Sequence, residues 1–507
     1  MATVVRETER KYEGDSGLPD LVPVPGVSSV EDCGETVLDA VYFDTTDLAL
    51  ASAGITLRHR SGGDDAGWHL KLPAGPDARD EVRLPSKPSA EVPSRLARLV
   101  RAHTRDAPLV PVVRLRSRRR VHRLLDGGGE PLAEVSCDQV TAEPVGTAGE
   151  EPARSWAEIE VEVAEGADPG ILDAVEKALE GQGITRSTMP SKLARALGER
   201  LEEQRRARAA RRRLGEPGTA GAAVLGYLAE QADAIVALDA AVRRELPDSV
   251  HRMRVAIRRM RSALATFGTV LDRDATRPLA DELRRLGTEL GADRDREVLT
   301  ERLYTLLDEL PRTLVLGPVR GRLRLWSARQ RSATRKRVLT ALNSRAYLDL
   351  LAGVDALFAS PPLLPDARRP AREVLGAAVL HDYRRLARRV AAATTDEQRH
   401  EARKAAKRAR YAAEAARPQL GKPAKALAAR LKTVQEVLGE HQDSVVAREA
   451  LRELALQAHR SGENAFTYGV LYERESRRAQ LAVERFDQVW REASRKEHRA
   501  GLKGKPS

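Results

Sequence analysis

The chain has 507 residues, 42% of them hydrophobic and 32% charged, which suits two or three domains with sizeable buried cores. A net charge of +12 implies anionic partners without choosing among nucleic acid, polyphosphate and a membrane surface. An aromatic content of 4% disfavours a single-strand nucleic-acid binder, no apolar run of membrane-spanning length is evident, and the opening Met-Ala-Thr-Val-Val-Arg-Glu has no secretory signal region.

Residues 6 to 11, Arg-Glu-Thr-Glu-Arg-Lys, place Glu7, Glu9 and Lys11 two apart, so a strand here sends all three side chains from one face. The same alternation of charge recurs downstream. Arg58 and Arg60 alternate, then His69 and Lys71, then Arg79, Glu81 and Arg83, then Arg114 through Arg120, and last Glu158, Glu160 and Glu162. Short β-branched runs at Thr36 to Phe43, Val110 to Val113 and Glu134 to Val140 add further strands, while Ala90 to Ala102 and Pro169 to Glu180 read as helices. An ordinary half-buried strand turns its charged set to water. Here carboxylates gather on the first and last strands and cations between them. A closed barrel with a charged interior would bring the two groups together around a polyanion and its metal.

The stretch from Glu199 to Arg213 reads as a charged linker helix and hinge, ending at Gly215-Glu-Pro-Gly218. From about residue 220 apolar residues take helical spacing, which predicts an all-α domain of several antiparallel helices. It carries an internal duplication. His251, Arg254, Arg258, Arg259 and Arg261 are answered by His400, Arg403, Lys407, Arg408 and Arg410 at a constant offset of 149, and Leu290-Gly291 with Asp295 by Leu438-Gly439 with Asp443 at an offset of 148. At about 100° per residue, His251, Arg254, Arg258 and Arg261 share an arc of about 80°, with Met253, Ala256, Ile257, Met260 and Leu264 opposite. The second copy splits the same way and adds Lys404 and Tyr411 to its basic face. No carboxylate interrupts either arc at i,i+4, so like charges repel until an anion offsets them. Nearly pure phosphate-type donors, without Asn, Gln or Thr for base edges, favour polyphosphate over nucleic acid.

These residues carry a family resemblance. Glu7-x-Glu9-x-Lys11 matches the ExExK signature of the CYTH, or triphosphate tunnel metalloenzyme, family. Tyr42-Phe-Asp-Thr45, Leu57-Arg-His-Arg60, Lys71, Asp138 and Glu158-x-Glu160-x-Glu162 occur in that family's order. The second half resembles the CHAD, or conserved histidine α-helical, domain. The resemblance implies a multidomain chain with three parts: residues 1–198 as an α+β domain around an eight-stranded antiparallel β tunnel, 199–218 as a charged helical linker, and 219–497 as an all-α domain of two pseudo-symmetric helical bundles. It implies a metal-dependent triphosphatase, with Glu7, Glu9, Glu158, Glu160 and Glu162 around Mg2+ or Mn2+ and Asp138 in support at the catalytic centre. Lys11, Arg58, Arg60, Lys71, Glu81, Arg116, Arg118 and Lys192 would surround the triphosphate. Long-chain inorganic polyphosphate would bind, without catalysis, at His251, Arg254, Arg258, Arg259, Arg261, His400, Arg403, Lys404, Lys407, Arg408, Arg410 and Tyr411. The competing readings are a tunnel that binds polyphosphate and localises the protein without turnover, and cyclase-type chemistry on ATP. No membrane or nucleic-acid partner is expected. Two cysteines, Cys33 and Cys137, form neither a disulfide framework nor a metal-spacing motif and fit a cytoplasmic location, where polyphosphate granules would be a site of association.

Overall fold

The computed structural model describes residues 3–14, 17–63, 65–85, 91–145 and 152–502, with the side chains of 292–294 outside that description. The chain divides into two compact units, Met1–Ala210 and Arg211–Ser507.

In the first unit eight strands close into a barrel: β1 (Thr3–Glu13), β2 (Ser29–Asp44), β3 (Thr56–Ser61), β4 (Gly67–Pro73), β5 (Ala78–Pro85), β6 (Val110–Leu125), β7 (Pro131–Pro144) and β8 (Arg154–Val163). Their order around the barrel is β1-β5-β4-β3-β2-β6-β7-β8, and every neighbouring pair is antiparallel. The expected strands at 110–113 and 114–120 are one strand, β6, and the expected helix over 90–102 is two short ones, α2 (Ser94–Leu99) and α3 (Arg101–Thr104), after the single turn α1 (Ala49–Ser52). Residue 90 lies outside the described residues.

Much of the wall is apolar on the outside and charged within. Tyr12, Val135, Cys137, Ile159 and Val161 are buried against Ile171, Leu172, Val175 and Leu179 of helix α4 (Ile171–Gly181). That leaves the alternate residues of β1 and β8, the glutamates and Lys11, to face the lumen. Helix α5 (Lys192–Ala210) closes one end, where Leu193, Ala194, Leu197 and Leu201 pack with Tyr42, Leu115, Val140 and Ala142. Gly198, at φ 48°, kinks this helix, and a Cβ there would stand 2.5 Å from a guanidinium nitrogen of Arg154. The charged stretch beginning at Glu199 thus forms a second helical segment beyond the kink, and its Leu201 still packs in the core beside the barrel.

The second unit is helical: α6 (Ala220–Arg243), α7 (Ser249–Thr266), α8 (Arg273–Asp308), α9 (Val319–Asn343), α10 (Arg345–Ala359), α11 (Ala371–Ala391), α12 (Asp396–Ala415), α13 (Arg417–Leu420), α14 (Lys422–Arg460), α15 (Phe466–Ala493) and α16 (Glu497–Ala500). Helices α6 to α9 pack in sequence, as do α11, α12, α14 and α15, and α7 meets α12 between the two sets. The duplication thus folds as two similar bundles. One expectation needs correcting: α6 is long and apolar enough to cross a membrane by length and composition. In this structure it packs in a bundle through Val224, Leu225, Leu228 and Ile235, and it carries the buried pair Asp239 and Arg243.

Candidate active site and anion-binding helices

The barrel encloses a cavity of about 750 Å3. Its lining includes Glu7, Glu9 and Lys11 of β1, Arg58 and Arg60 of β3, Lys71 of β4, Arg79 and Arg83 of β5, Arg119 and Arg123 of β6, Glu134 of β7, Glu160 and Glu162 of β8, and Lys192 of α5. Carboxylates from both ends of the sequence pattern meet because β1 and β8 are neighbours: Glu9 pairs in register with Glu162 and Lys11 with Glu160. Glu134 extends the row across β7, opposite Glu162.

Lysines occupy the spaces between the carboxylates. Lys11 pairs with Glu160 and lies 3.2 Å from Glu9, and Lys71 lies 2.5 Å from Glu7 and 3.7 Å from Glu9. Lys192 reaches into the closed end, 2.6 Å from Glu160, 2.8 Å from Glu158 and 2.9 Å from Asp138. Burial alone would raise the Glu160 carboxyl, but Lys11, Lys192 and Arg119 outweigh it and hold it well below the usual carboxylate range. Glu9 follows the same logic: against burial, Lys11 and Lys71 bring it to about 2. The other two carboxyls go the opposite way. Burial raises Glu7, Lys71 opposing and Glu81 adding to the rise, and burial with Glu7 nearby pushes Glu162 up to about 7. Among the described residues no three His, Cys, Asp or Glu side chains stand close enough together to grip an ion as they are, because ammonium groups separate them. The donor set nevertheless fits a hard divalent cation. It is all carboxylate oxygen, ammonium groups bridge its members, and at Glu162 its negative charge exceeds its compensation.

Cations crowd the rest of the lumen. Burial first, and then Arg58 and Arg119, lowers the Arg60 guanidinium to about 9, although Arg60 also pairs with Asp65. Arg58 donates to the Tyr42 hydroxyl at 3.2 Å. Tyr42 is the one aromatic side chain lining the cavity among the described residues.

Four sequence expectations change here. Arg116 and Arg118 point out of the barrel, 52% and 63% exposed, toward Asp39, Glu143 and Glu35. The lumen arginine of β6 is Arg119, which donates to Asp138 at 2.8 and 2.7 Å and to Glu160 at 2.7 Å. Asp138 lies beneath Arg119 and Lys192 and does not line the cavity; it holds those two cations in place. Glu158 is likewise tied down at the closed end, by Lys192 and by the Trp156 indole N–H at 2.6 Å. Glu81 has lumen parity but is fully buried and does not line the cavity; it accepts from Arg83 and pairs with His69. Arg79 and Arg83, which the sequence shows alternating with Glu81 without a site role, line the cavity, as do Arg123 and Glu134. Glu134 shares parity with Asp138, whereas Arg123 shares it with Arg119 and not with the expected Arg116 and Arg118.

In the helical unit, Arg254 and Arg258 of α7 come together with Arg403 and Lys407 of α12, close enough that burial with Arg403 and Arg258 lowers the Lys407 ammonium to about 7. Arg254 donates to the Gly291 carbonyl and to Asp295, both at 3.1 Å, and Arg403 lies 3.6 Å from Asp443. A Cβ at Gly291 or Gly439 would stand 3.2 Å from the Arg254 or Arg403 guanidinium, so the repeated glycine is a seat for the repeated arginine. The other basic residues divide. Arg259 and Arg410 share Glu414 and flank the Tyr411 ring, and Arg408 donates to Asp382 at 3.0 Å and to the Ala265 carbonyl at 2.6 Å, joining the bundles. Glu414 stands four residues after Arg410, so the second basic arc is not free of carboxylates. Lys404 pairs with Glu401 at 2.8 Å, His400 Nδ1 lies 2.7 Å from the Gln442 side-chain oxygen, His251 is half-buried, and burial with Arg284 nearby lowers Arg261.

The match to known families follows this geometry. Residues 6–197 match the CYTH domain and residues 226–452 match the CHAD domain. The chain is a CYTH–CHAD protein. Two uncharacterized proteins of Mycobacterium tuberculosis, MT2285 (strain CDC 1551 / Oshkosh) and Rv2226 (strain H37Rv), are each 37% identical to it over 96% of both chains. Among solved structures, PptA from Streptomyces chartreusis is similar to 54% of this CYTH–CHAD chain over 99% of its own, with 24% identity and a TM-score of 0.47. The CHAD domain from Ricinus communis is similar to 57% over 93% of its own, with 28% identity and a TM-score of 0.42. HpAC1 from Hippeastrum, reported to show a dominant triphosphatase activity, is similar to 38% over 94% of its own, with 20% identity and a TM-score of 0.26. The CYTH tunnel family acts on triphosphates and uses divalent metals.

Proposed function

We propose that the tunnel hydrolyses inorganic triphosphate or a small organic triphosphate with Mg2+ or Mn2+, and that the helical unit holds long-chain polyphosphate. One observation carries the enzymatic reading: the carboxylates of β1 and β8 and the cations of β1, β3, β4, β6 and α5 face one enclosed cavity. Glu7, Glu9, Glu160 and Glu162 would hold the metal. When bound, it supplies Lewis-acid polarisation of phosphoryl oxygens and a more acidic water. Arg58, Arg60, Arg119 and Lys192 grip the triphosphate and neutralise the charge that builds on the leaving phosphate. Lys11 and Lys71 exchange carboxylate partners for phosphate oxygens. Asp138 keeps Arg119 and Lys192 aimed into the lumen. Cyclase-type chemistry needs a seat for a base, and the lining tyrosine, Tyr42, is already engaged by Arg58.

For the helical unit the cluster of Arg254, Arg258, Arg403 and Lys407 offers like charges that an anionic polymer would offset. Reversing all four charges is expected to abolish retention on immobilised long-chain polyphosphate, while wild-type retention falls steeply with salt as counterion release predicts. Retention that survives the four reversals would rule out this cluster.

The same cluster makes binding depend on pH. Below about pH 7 Lys407 is already charged; above it, the polymer must draw a proton onto an ammonium that Arg403, Arg258 and Arg254 depress and Asp443 supports. Affinity is therefore expected to weaken by up to about tenfold per pH unit above 7, toward the bound-state pKa. Calorimetry in buffers of different ionisation enthalpy should detect proton uptake at pH 8, and Lys407→Arg should remove it. Proton uptake unchanged in that variant would assign it elsewhere.

A further inference from the structure

His69 precedes Lys71 on β4 and belongs to neither the metal set nor the phosphate grip. It is 1% exposed, and both ring nitrogens are engaged: Nδ1 lies 3.0 Å from Glu81 Oε1, and Nε2 lies 2.8 Å from the Asp65 carbonyl oxygen. Glu81 has no exposed surface. It accepts from Arg83 Nε, lies 3.8 Å from Arg58, and acts electrostatically on Lys71. Arg83 in turn donates to Glu7 at 3.0 Å. Glu81 thus stands among three lumen cations, bonded to Arg83, near Arg58 and within electrostatic reach of Lys71, and His69 Nδ1 lies against the same oxygen that Arg58 approaches.

We propose that His69 is a positioning residue for triphosphate binding: its Nδ1–H fixes the Glu81 carboxylate at a distance from Arg58 that leaves Arg58 facing the cavity. Without that donor the freed oxygen of Glu81 takes Arg58 as its replacement partner, because a buried carboxylate left short of a donor pays its desolvation cost uncompensated. Arg58 would turn from Tyr42 and the lumen toward the wall, and the substrate would lose a bidentate phosphate contact. This inference rests on the tunnel being the triphosphate site.

Asn and Gln separate the two ring contacts, since an Asn amide can place an N–H where Nδ1 sits beside Glu81 and a Gln amide reaches instead to where Nε2 sits beside the Asp65 carbonyl. KM for tripolyphosphate, and the Kd for tripolyphosphate by calorimetry without metal, are measured for the full chain and for His69→Asn, His69→Gln and His69→Phe. The expected result is that Asn stays within about threefold of wild type while Gln and Phe raise KM and Kd about tenfold, kcat changing less. Equal effects of Asn and Gln, or a Phe variant with unchanged affinity, would overturn the positioning role. Failure of the triphosphatase reading looks different: wild type binds tripolyphosphate without hydrolysing it, and the Kd ranking still decides the role of His69. If a variant does not fold, the wild-type ring decides instead. In 15N-histidine-labelled protein Nδ1 of His69 should carry a proton with and without tripolyphosphate, and an unprotonated Nδ1 would contradict the proposal.

Discussion

Glu7→Gln combined with Glu9→Gln is expected to reduce phosphate release from tripolyphosphate by about 10³-fold or more, with the barrel still folded. The two carboxylates sit on adjacent lumen positions of β1, Glu7 in register with Arg79 of β5 and Glu9 with Glu162 of β8, and Gln keeps their volume and hydrogen-bonding reach while removing both charges. The local balance then swings positive, because Lys11 and Lys71 lose partners at 3.2 and 2.5 Å. Triphosphate affinity should hold or rise while turnover collapses. That split is diagnostic, since an interaction made only in the transition state lowers kcat and leaves binding intact. A double variant that turns over normally would remove metal-assisted chemistry from this site; one that loses binding and turnover together would recast these glutamates as supports for the two lysines.

Arg119→Ala should cost about 10²–10³-fold in kcat/KM, a loss typical of deleting a preorganised charge-stabilising donor, whereas Arg118→Ala should change it by less than about twofold. The two side chains are neighbours in sequence and face opposite sides of the wall. Arg119 bridges Asp138 and Glu160 inside; Arg118 reaches Glu35 at 3.4 Å outside. Two structural costs accompany Arg119→Ala, since Asp138 and Glu160 lose a guanidinium. Lys192 still contacts both, so the fold should survive, and a thermal melt checks this. Arg119→Lys should recover part of the activity, since it returns the charge without the bidentate geometry. Comparable losses at 118 and 119 would mean that the β6 parity is wrong.

The closed barrel and its lumen face were legible wherever charge alternated with apolar residues. On β1 and β8 the alternation is clean, so the register follows from period 2 and the two strands need only be neighbours for the carboxylates to meet. β6 misled because arginine occupies both faces. Arg114, Arg116, Arg118 and Arg120 form an outer ladder with Asp39, Glu143, Glu35 and Asp32 on the flanking strands, and no local pattern distinguishes such a ladder from a phosphate grip. Only pairing with Asp138 identifies Arg119. Asp138, Glu158 and Glu81 show a second limit: lumen parity was visible, but depth was not, and all three are covered by the cations they orient. In the helical unit the repeat predicted which helices would carry matching cations. It could not show that Arg259, Arg408 and Arg410 are drawn into pairs with Glu414 and Asp382, because those contacts join segments far apart in sequence or lie within the helix at a position assumed free of acid. The seats at Gly291 and Gly439 were present in the repeat as letters, and they acquire meaning only with Arg254 and Arg403 lying across them.

The most direct test of the central claim is phosphate release by the full chain from tripolyphosphate, ATP, thiamine triphosphate and long-chain polyphosphate, each with Mg2+, with Mn2+ and with chelator. The account predicts rapid release from tripolyphosphate or a small organic triphosphate, complete dependence on the metal, and little tunnel-dependent release from the long polymer. No release from any triphosphate under either metal, or release undiminished by chelator, would contradict it.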